Sequence, residues 1–181
     1  MLFFILALVI TDMVIKTIIY FNFMDLNVTF FNDYLGFTPY INQDQMSIFN
    51  STFNLGINTT TLTILNSVLL LILVLLYFRI KRVFGVDRHV TFIFILFISG
   101  AICSITDKLL LGGSLDYLLI SRWICDLKDI YLYTGFVYLV IYLVKNADTS
   151  GSIKDDFNKV KQLFKLNSNT DNWSLIDRLI F

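Results

Sequence analysis

Apolar residues gather along this chain in four long runs separated by polar connectors. An α-helix rising about 1.5 Å per residue needs about 20 mostly apolar residues to cross a hydrocarbon core. The pattern predicts four such helices, at about residues 2–23, 61–78, 90–111 and 130–144. The second is the cleanest, with a leucine-rich run from Val68 to Leu76. Asp12 and Lys16 interrupt the first, and the third carries no charge until Asp107. The fourth is short and must borrow residues from the loop before it. A cleavable signal peptide is a poor reading of the first run, which lacks a basic start and a small-residue cleavage site.

The connectors orient these helices. Residues 23–61 carry Asp25, Asp33 and Asp44 and no Lys or Arg, whereas 79–89 carry Arg79, Lys81, Arg82 and Arg88 against Asp87 alone. The bias of basic residues toward the cytoplasm puts the second connector inside and the first outside. Four crossings then leave both termini in the cytoplasm and residues 112–128 outside. The first outer stretch, about 24–60, holds Phe30, Phe31, Tyr34, Phe37 and Tyr40 and is too long for a slack connector. It reads as a small cap on the outer surface, one that can contain short β strands. Past a Thr149-Ser150-Gly151-Ser152 linker, Ile153, Phe157, Val160 and Phe164 recur at helical spacing with lysines between them. That tail, 148–181, predicts a short amphipathic helix at the inner face, outside a membrane domain of residues 1–147.

Composition agrees and narrows the classes. Hydrophobic residues make up 56% of the chain and charged residues 15%, against roughly 45–50% and about 25% in soluble domains. Net charge is zero, so there is no electrostatic footprint for nucleic acid. Two cysteines and one histidine leave no zinc cluster and no disulfide framework. The fold class is an all-α, four-helix membrane bundle.

Ionisable groups within such spans cost roughly 2.5–3.5 kcal/mol each to insert and are functional candidates by default. Asp12 and Lys16 lie one helical turn apart and can neutralise each other, which a purely structural pair would also do. Asp107 and Lys108 close the third run, where capping and snorkelling at the interface would account for them. Asp116 stands alone in an apolar stretch, and Asp126 and Asp129 precede the fourth helix, where acids suit the helix dipole. Asp116 and Asp129 flank one outer loop and can converge. Two carboxylates that close share a proton, one activating water and the other polarising a peptide carbonyl. Other nucleophilic sets lack parts: His89 is on the cytoplasmic side, away from Cys103 and Cys125.

The order of these motifs resembles the bacterial lipoprotein signal peptidases (signal peptidase II), four-helix membrane aspartyl proteases. Asp12-Met-Val-Ile-Lys16 is similar to the family's D-x-x-x-K. Residues 100–117 follow, without a gap, the family's G-A-x-G-N-x-x-D-R-x-x-x-G-x-V-x-D-F, and residues 126–135 follow N-x-A-D-x-x-I-x-x-G. Asn42, with Ser47 and Phe49 after it, takes the place of an Asn-Gly-Phe motif in the cap. Ser104, Lys108, Asp126 and Lys128 depart from the family's Asn, Arg, Asn and Ala.

The resemblance covers about residues 1–146 and implies Asp116 and Asp129 as the catalytic acids. It implies supporting roles for Asp12, Lys16, Asn42, Ser104, Asp107, Lys108 and Asp126, with no metal and no organic cofactor. The implied partner is a diacylglyceryl-modified prolipoprotein, cut before its lipidated cysteine at the outer face of the bacterial cytoplasmic membrane, by a monomer surrounded by membrane lipids. Two rivals remain open at this point: a non-enzymatic ion- or proton-coupled carrier subunit, and a paralogue that binds lipopeptides without cutting them.

Overall fold

All four apolar runs are helical, and capping chemistry sets their ends. The computed structural model describes residues 1–32, 34–43, 58–85, 87–121 and 123–146. Helix α1 is Leu2–Asn22. Helix α2 is Thr59–Phe84, capped by Asn58, whose side-chain oxygen accepts the Thr61 N–H at 2.9 Å. Helix α3 is Arg88–Leu111, capped by Asp87, which accepts the Val90 N–H at 2.7 Å. Gly112 stops α3 in the left-handed region, φ 65°, where glycine carries no side-chain penalty. Helix α4 is Leu127–Lys145 and opens with a reciprocal capping box between Asp126 and Asp129. Each helix is long and apolar enough to cross a membrane.

Two boundaries differ from the sequence pattern. Helix α2 runs on past 78, because Arg79, Lys81 and Arg82 continue it, so most of the basic connector is helix. Its cations sit where the C-terminal dipole favours them. Helix α4 begins at Leu127, so Asp129 lies in its first turn rather than ahead of it. Asp87 at the start of α3 accepts the Tyr142 hydroxyl at 3.1 Å near the end of α4, as antiparallel neighbours must.

At the other end of the bundle both connectors contribute to one antiparallel sheet, in the order β1-β2-β3-β4. The strands are β1 Val28–Phe30, β2 Leu35–Asn42, β3 Ser114–Ile120 and β4 Trp123–Cys125. The first pair supplies the short strands expected of the cap. The second pair forms in a stretch that the pattern left as plain loop. Register between β2 and β3 shifts between Phe37 and Tyr40, a stretch that contains the chain's only proline, Pro39. Proline has no N–H to give a ladder, so it is tolerated at such an irregularity. Beyond the shift, Tyr40 pairs with Asp116 and Asn42 with Ser114. The rest of the cap, including Ser47 and Phe49, and the predicted amphipathic tail lie outside the described residues.

Helix α3 is the centre. Half of its most apolar window is buried inside the protein, against 28%, 11% and 17% for α1, α2 and α4. Ile5 and Val9 of α1 and Tyr77 of α2 pack with Phe94, Ile95, Ile98 and Cys103 of α3. Lipid tails are as apolar as leucine, so close packing and internal polar contacts, rather than exclusion of water, hold such a bundle together. Small residues allow the closest approach: an added Cβ on Gly100 would meet Leu132 at 2.6 Å, and one on Gly135 would meet Phe97 at 3.1 Å.

Candidate active site

Strand β3 and the first turn of α4 bring three acids together. One carboxylate oxygen from each of Asp116, Asp126 and Asp129 lies within 4.8 Å of the other two. Strand pairing fixes Asp116, and the capping box fixes the other two. Asp126 accepts the Asp129 N–H at 3.1 Å, and Asp129 accepts the Asp126 N–H at 3.3 Å. The two acids that the sequence singles out therefore do meet, with Asp126 as their neighbour.

Asp116 is buried, and donors reach both of its oxygens. Ser114 donates its hydroxyl to Oδ1 at 2.7 Å, and Asn42 donates its amide to Oδ2 at 3.0 Å. The structure thus brings Asn42 against Asp116. Burial pushes the Asp116 carboxyl above its ordinary value, against the pull of Lys128, Asn42 and Ser114. Asp126, fully buried, goes the other way. Burial would raise it too, but Lys128 and Lys16 outweigh that and hold it below the usual carboxylate range.

A trio of acids this close needs a cation, and the chain supplies one in Lys128. Its ammonium bonds to Asp126 in a very short contact, donates to Ser114 Oγ at 2.6 Å, and lies 3.4 Å from Asp107 and 3.7 Å from Asp116. Lys16 continues the network, with carboxylate oxygens of Asp107 and Asp126 each at 2.6 Å and of Asp12 at 3.0 Å. Asp12 and Lys16 are therefore more than an isolated pair on one helix. Asp107 and Lys108, which interfacial capping and snorkelling would have explained, are buried instead, each 5% exposed. Lys108 donates to Ser104 Oγ at 2.8 Å, and Asn66 donates to the same oxygen at 2.9 Å. Among the described residues of this network, acids outnumber lysines, and burial makes an uncompensated negative charge costly. Such a cluster favours keeping a proton on one carboxyl.

Three contributors were not in the sequence-based set: Lys128, Ser114 and Asn66. Lys128 stood out as a motif departure, and Asn66 is a polar residue in a leucine-rich span, the signal that could have found it. The alternatives to acid catalysis stay apart. His89 stacks on Tyr138, at the end of the bundle away from the sheet. Burial pushes the Cys125 thiol up, as do the acids near it, so the nucleophilic thiolate is disfavoured.

Two solved bacterial membrane enzymes, both obtained by the in meso method, share this fold. The one at 2.3 Å resolution has a TM-score of 0.61 at 20% identity, covering 83% of this chain and 91% of its own. The one at 1.9 Å has a TM-score of 0.60 at 21% identity, covering 81% and 93%. A search of the curated proteins finds no match. The family model described as signal peptidase (SPase) II matches residues 4–145, a span that takes in all four helices and every acid of the cluster. The chain therefore belongs to the signal peptidase II family, proteases embedded in the bacterial cell membrane that process lipoprotein signal peptides.

Proposed function

We propose that this chain cuts diacylglyceryl-modified prolipoproteins immediately before the lipidated cysteine, with Asp116 and Asp129 as its catalytic pair. The observation that carries this reading is the approach of their carboxylates to within 4.8 Å at the junction of sheet and bundle. Like charges that close do not both ionise in a buried site, so the pair shares one proton. Asp116, its oxygens held by Asn42 and Ser114, takes a proton from water as the water oxygen bonds to the scissile carbonyl carbon. Asp129 gives its proton to the carbonyl oxygen, forming a neutral gem-diol. Collapse returns a proton to Asp129, and the one on Asp116 goes to the leaving amine. The products are a peptide carboxylic acid, which ionises on release, and a lipidated cysteine with a free amine. Acyl chains held in the surrounding lipid would anchor the scissile bond at the interface, using remote binding to position it. A carrier would keep such acids at mid-span on broken helices, and Asp116, on a strand, does not fit that pattern.

The test is turnover of a diacylated model peptide by purified protein, with both products weighed. The reading expects a single cut before the lipidated cysteine and poor turnover of the unlipidated peptide. Intact substrate, or a cut elsewhere, contradicts it.

The same reading requires the sheet to face outward and both termini to face the cytoplasm, as the basic residues of 79–89 support. Reporter fusions after Arg82 and after Gly113 should read cytoplasmic and external respectively. The reverse pattern ends the topology. Precision at the cap gives a further expectation. An added Cβ on Gly113 would lie 2.7 Å from the Asn42 backbone oxygen. Gly113→Ala should shift β2 and loosen Asn42 from Asp116, lowering kcat/KM on the order of tenfold with helix content intact. Unchanged kinetics would mean that Asn42 does not need its present position.

A further inference from the structure

Lys128 is the buried cation nearest the acid pair, and its surroundings give it one orientation. It is 5% exposed and is the second residue of a chain of contacts that runs Asp126, Lys128, Ser114, Asp116. The Ser114 hydroxyl accepts from Lys128 at 2.6 Å, so its own proton is free to point at Asp116 Oδ1, 2.7 Å away. Donor chains of this kind polarise one another, strengthening the final bond to the carboxylate. The ammonium itself stands 3.7 Å from the same oxygen. Lys128 also attracts Asp129 through space, but Asp129 has no such hydroxyl chain among the described bonds; the one it accepts comes from the Asp126 backbone. The two acids of the pair are therefore held unequally. Asp126, Lys128 and Ser114, joined through the Lys128 ammonium, stand where the family pattern carries Asn, Ala and Val. Here three small or neutral positions have become a bonded polar unit.

We propose that Lys128 is a positioning residue for the catalytic pair: moored on Asp126 and acting both directly and through Ser114, it makes Asp116 the base and leaves the shared proton to Asp129. This rests on the dyad reading above. An opposite charge at this range favours the ionised carboxylate, commonly by about one pH unit or more. Other groups act on Asp116 as well. Asp129 and Asp126 from α4 and its cap, with Asp107 from α3, oppose its ionisation. Lys108 from α3 supports it. Tyr40 of β2 and Cys125 of β4 are neutral neighbours. Lys128 is the cation that touches both Asp116 and its hydroxyl donor.

The experiment is the pH profile of kcat/KM on the diacylated peptide for three variants, with Asp116→Asn as reference. Lys128→Met removes the cation at similar volume, so the acidic limb should move up by about one pH unit, a loss of roughly tenfold at any pH on that limb. Asp126→Asn strips Lys128 of its counter-charge, so the limb should move the opposite way while turnover persists. Asp126→Asn/Lys128→Met removes one charge of each sign and should bring the limb back toward the unmodified protein. A residue that only fills space would not produce opposite displacements that cancel. If Lys128→Met fails to fold, the acidward displacement in Asp126→Asn and its reversal in the charge-balanced double variant decide the matter. Limbs that stay put in these variants overturn the role of Lys128 while leaving the dyad intact. If Asp116→Asn itself still cleaves, the dyad reading has failed, a result these profiles separate from the first.

Discussion

Asp116→Asn and Asp129→Asn should each lower kcat/KM by about 10³-fold or more, in protein that still inserts and folds. An amide neither accepts the proton of the attacking water nor donates one to the carbonyl and recovers it. Neither substitution changes side-chain size much, and Asn can keep several of the same hydrogen bonds. At position 116 the amide oxygen can keep the bond from the Asn42 amide, while the amide NH2 faces the Ser114 oxygen. Asp129→Asn keeps an oxygen to cap the Asp126 N–H. The loss should therefore be chemical, read as rate at an unchanged unfolding midpoint. Asp126→Asn sharpens the contrast, because that acid is held ionised by two lysines and has no proton to trade. It should retain turnover. Death of Asp126→Asn together with activity in Asp129→Asn would mean that the alignment of acids is off by one motif step.

The second large effect is on stability. Lys16 lies within 3.0 Å of carboxylates from α1, α3 and the α4 cap, and all of these groups are buried. Breaking a buried ion network by removing one partner leaves uncompensated charge and costs about 3–5 kcal/mol. Lys16→Met should lose about that much in reversible unfolding in detergent micelles, far more than substituting a lipid-facing residue such as Phe136. Asp12→Asn added to Lys16→Met should recover part of it, because one stranded acid is then neutral. A loss below about 1 kcal/mol would mean that these acids already carry protons and do not need Lys16.

Much of this molecule was legible in its chain, for reasons particular residues make plain. The hydrocarbon core imposes a length that four runs meet, so the helices could be read from hydropathy alone. Asp116 could be picked out because an acid among Leu115, Tyr117, Leu118 and Leu119 is costly without a task. Helix ends were harder. Arg79, Lys81 and Arg82 look like a connector by charge, yet long basic side chains reach the interface from a continuing helix. The second half of the sheet was hidden because its pairing is non-local: Leu35 meets Ile120 and Asn42 meets Ser114. No local pattern in 112–128 announces a partner that far back in the chain. The lysines misled in the same way. Lys108 looks interfacial in one dimension and Lys128 shows only as a motif departure, and only the fold surrounds them with carboxylates and hydroxyls.

The central claim is that two carboxylates act as one catalytic unit, and one comparison tests it most directly. Unmodified protein, Asp116→Asn, Asp129→Asn and the double variant are assayed side by side on the diacylated peptide, with the mass of the released product fixing the scissile bond. The account predicts one product, cut before the lipidated cysteine, and a double variant hardly slower than either single, because partners in one proton cycle are lost together. Losses that multiply in the double variant, or residual cleavage by either single within about tenfold of the unmodified protein, would contradict it.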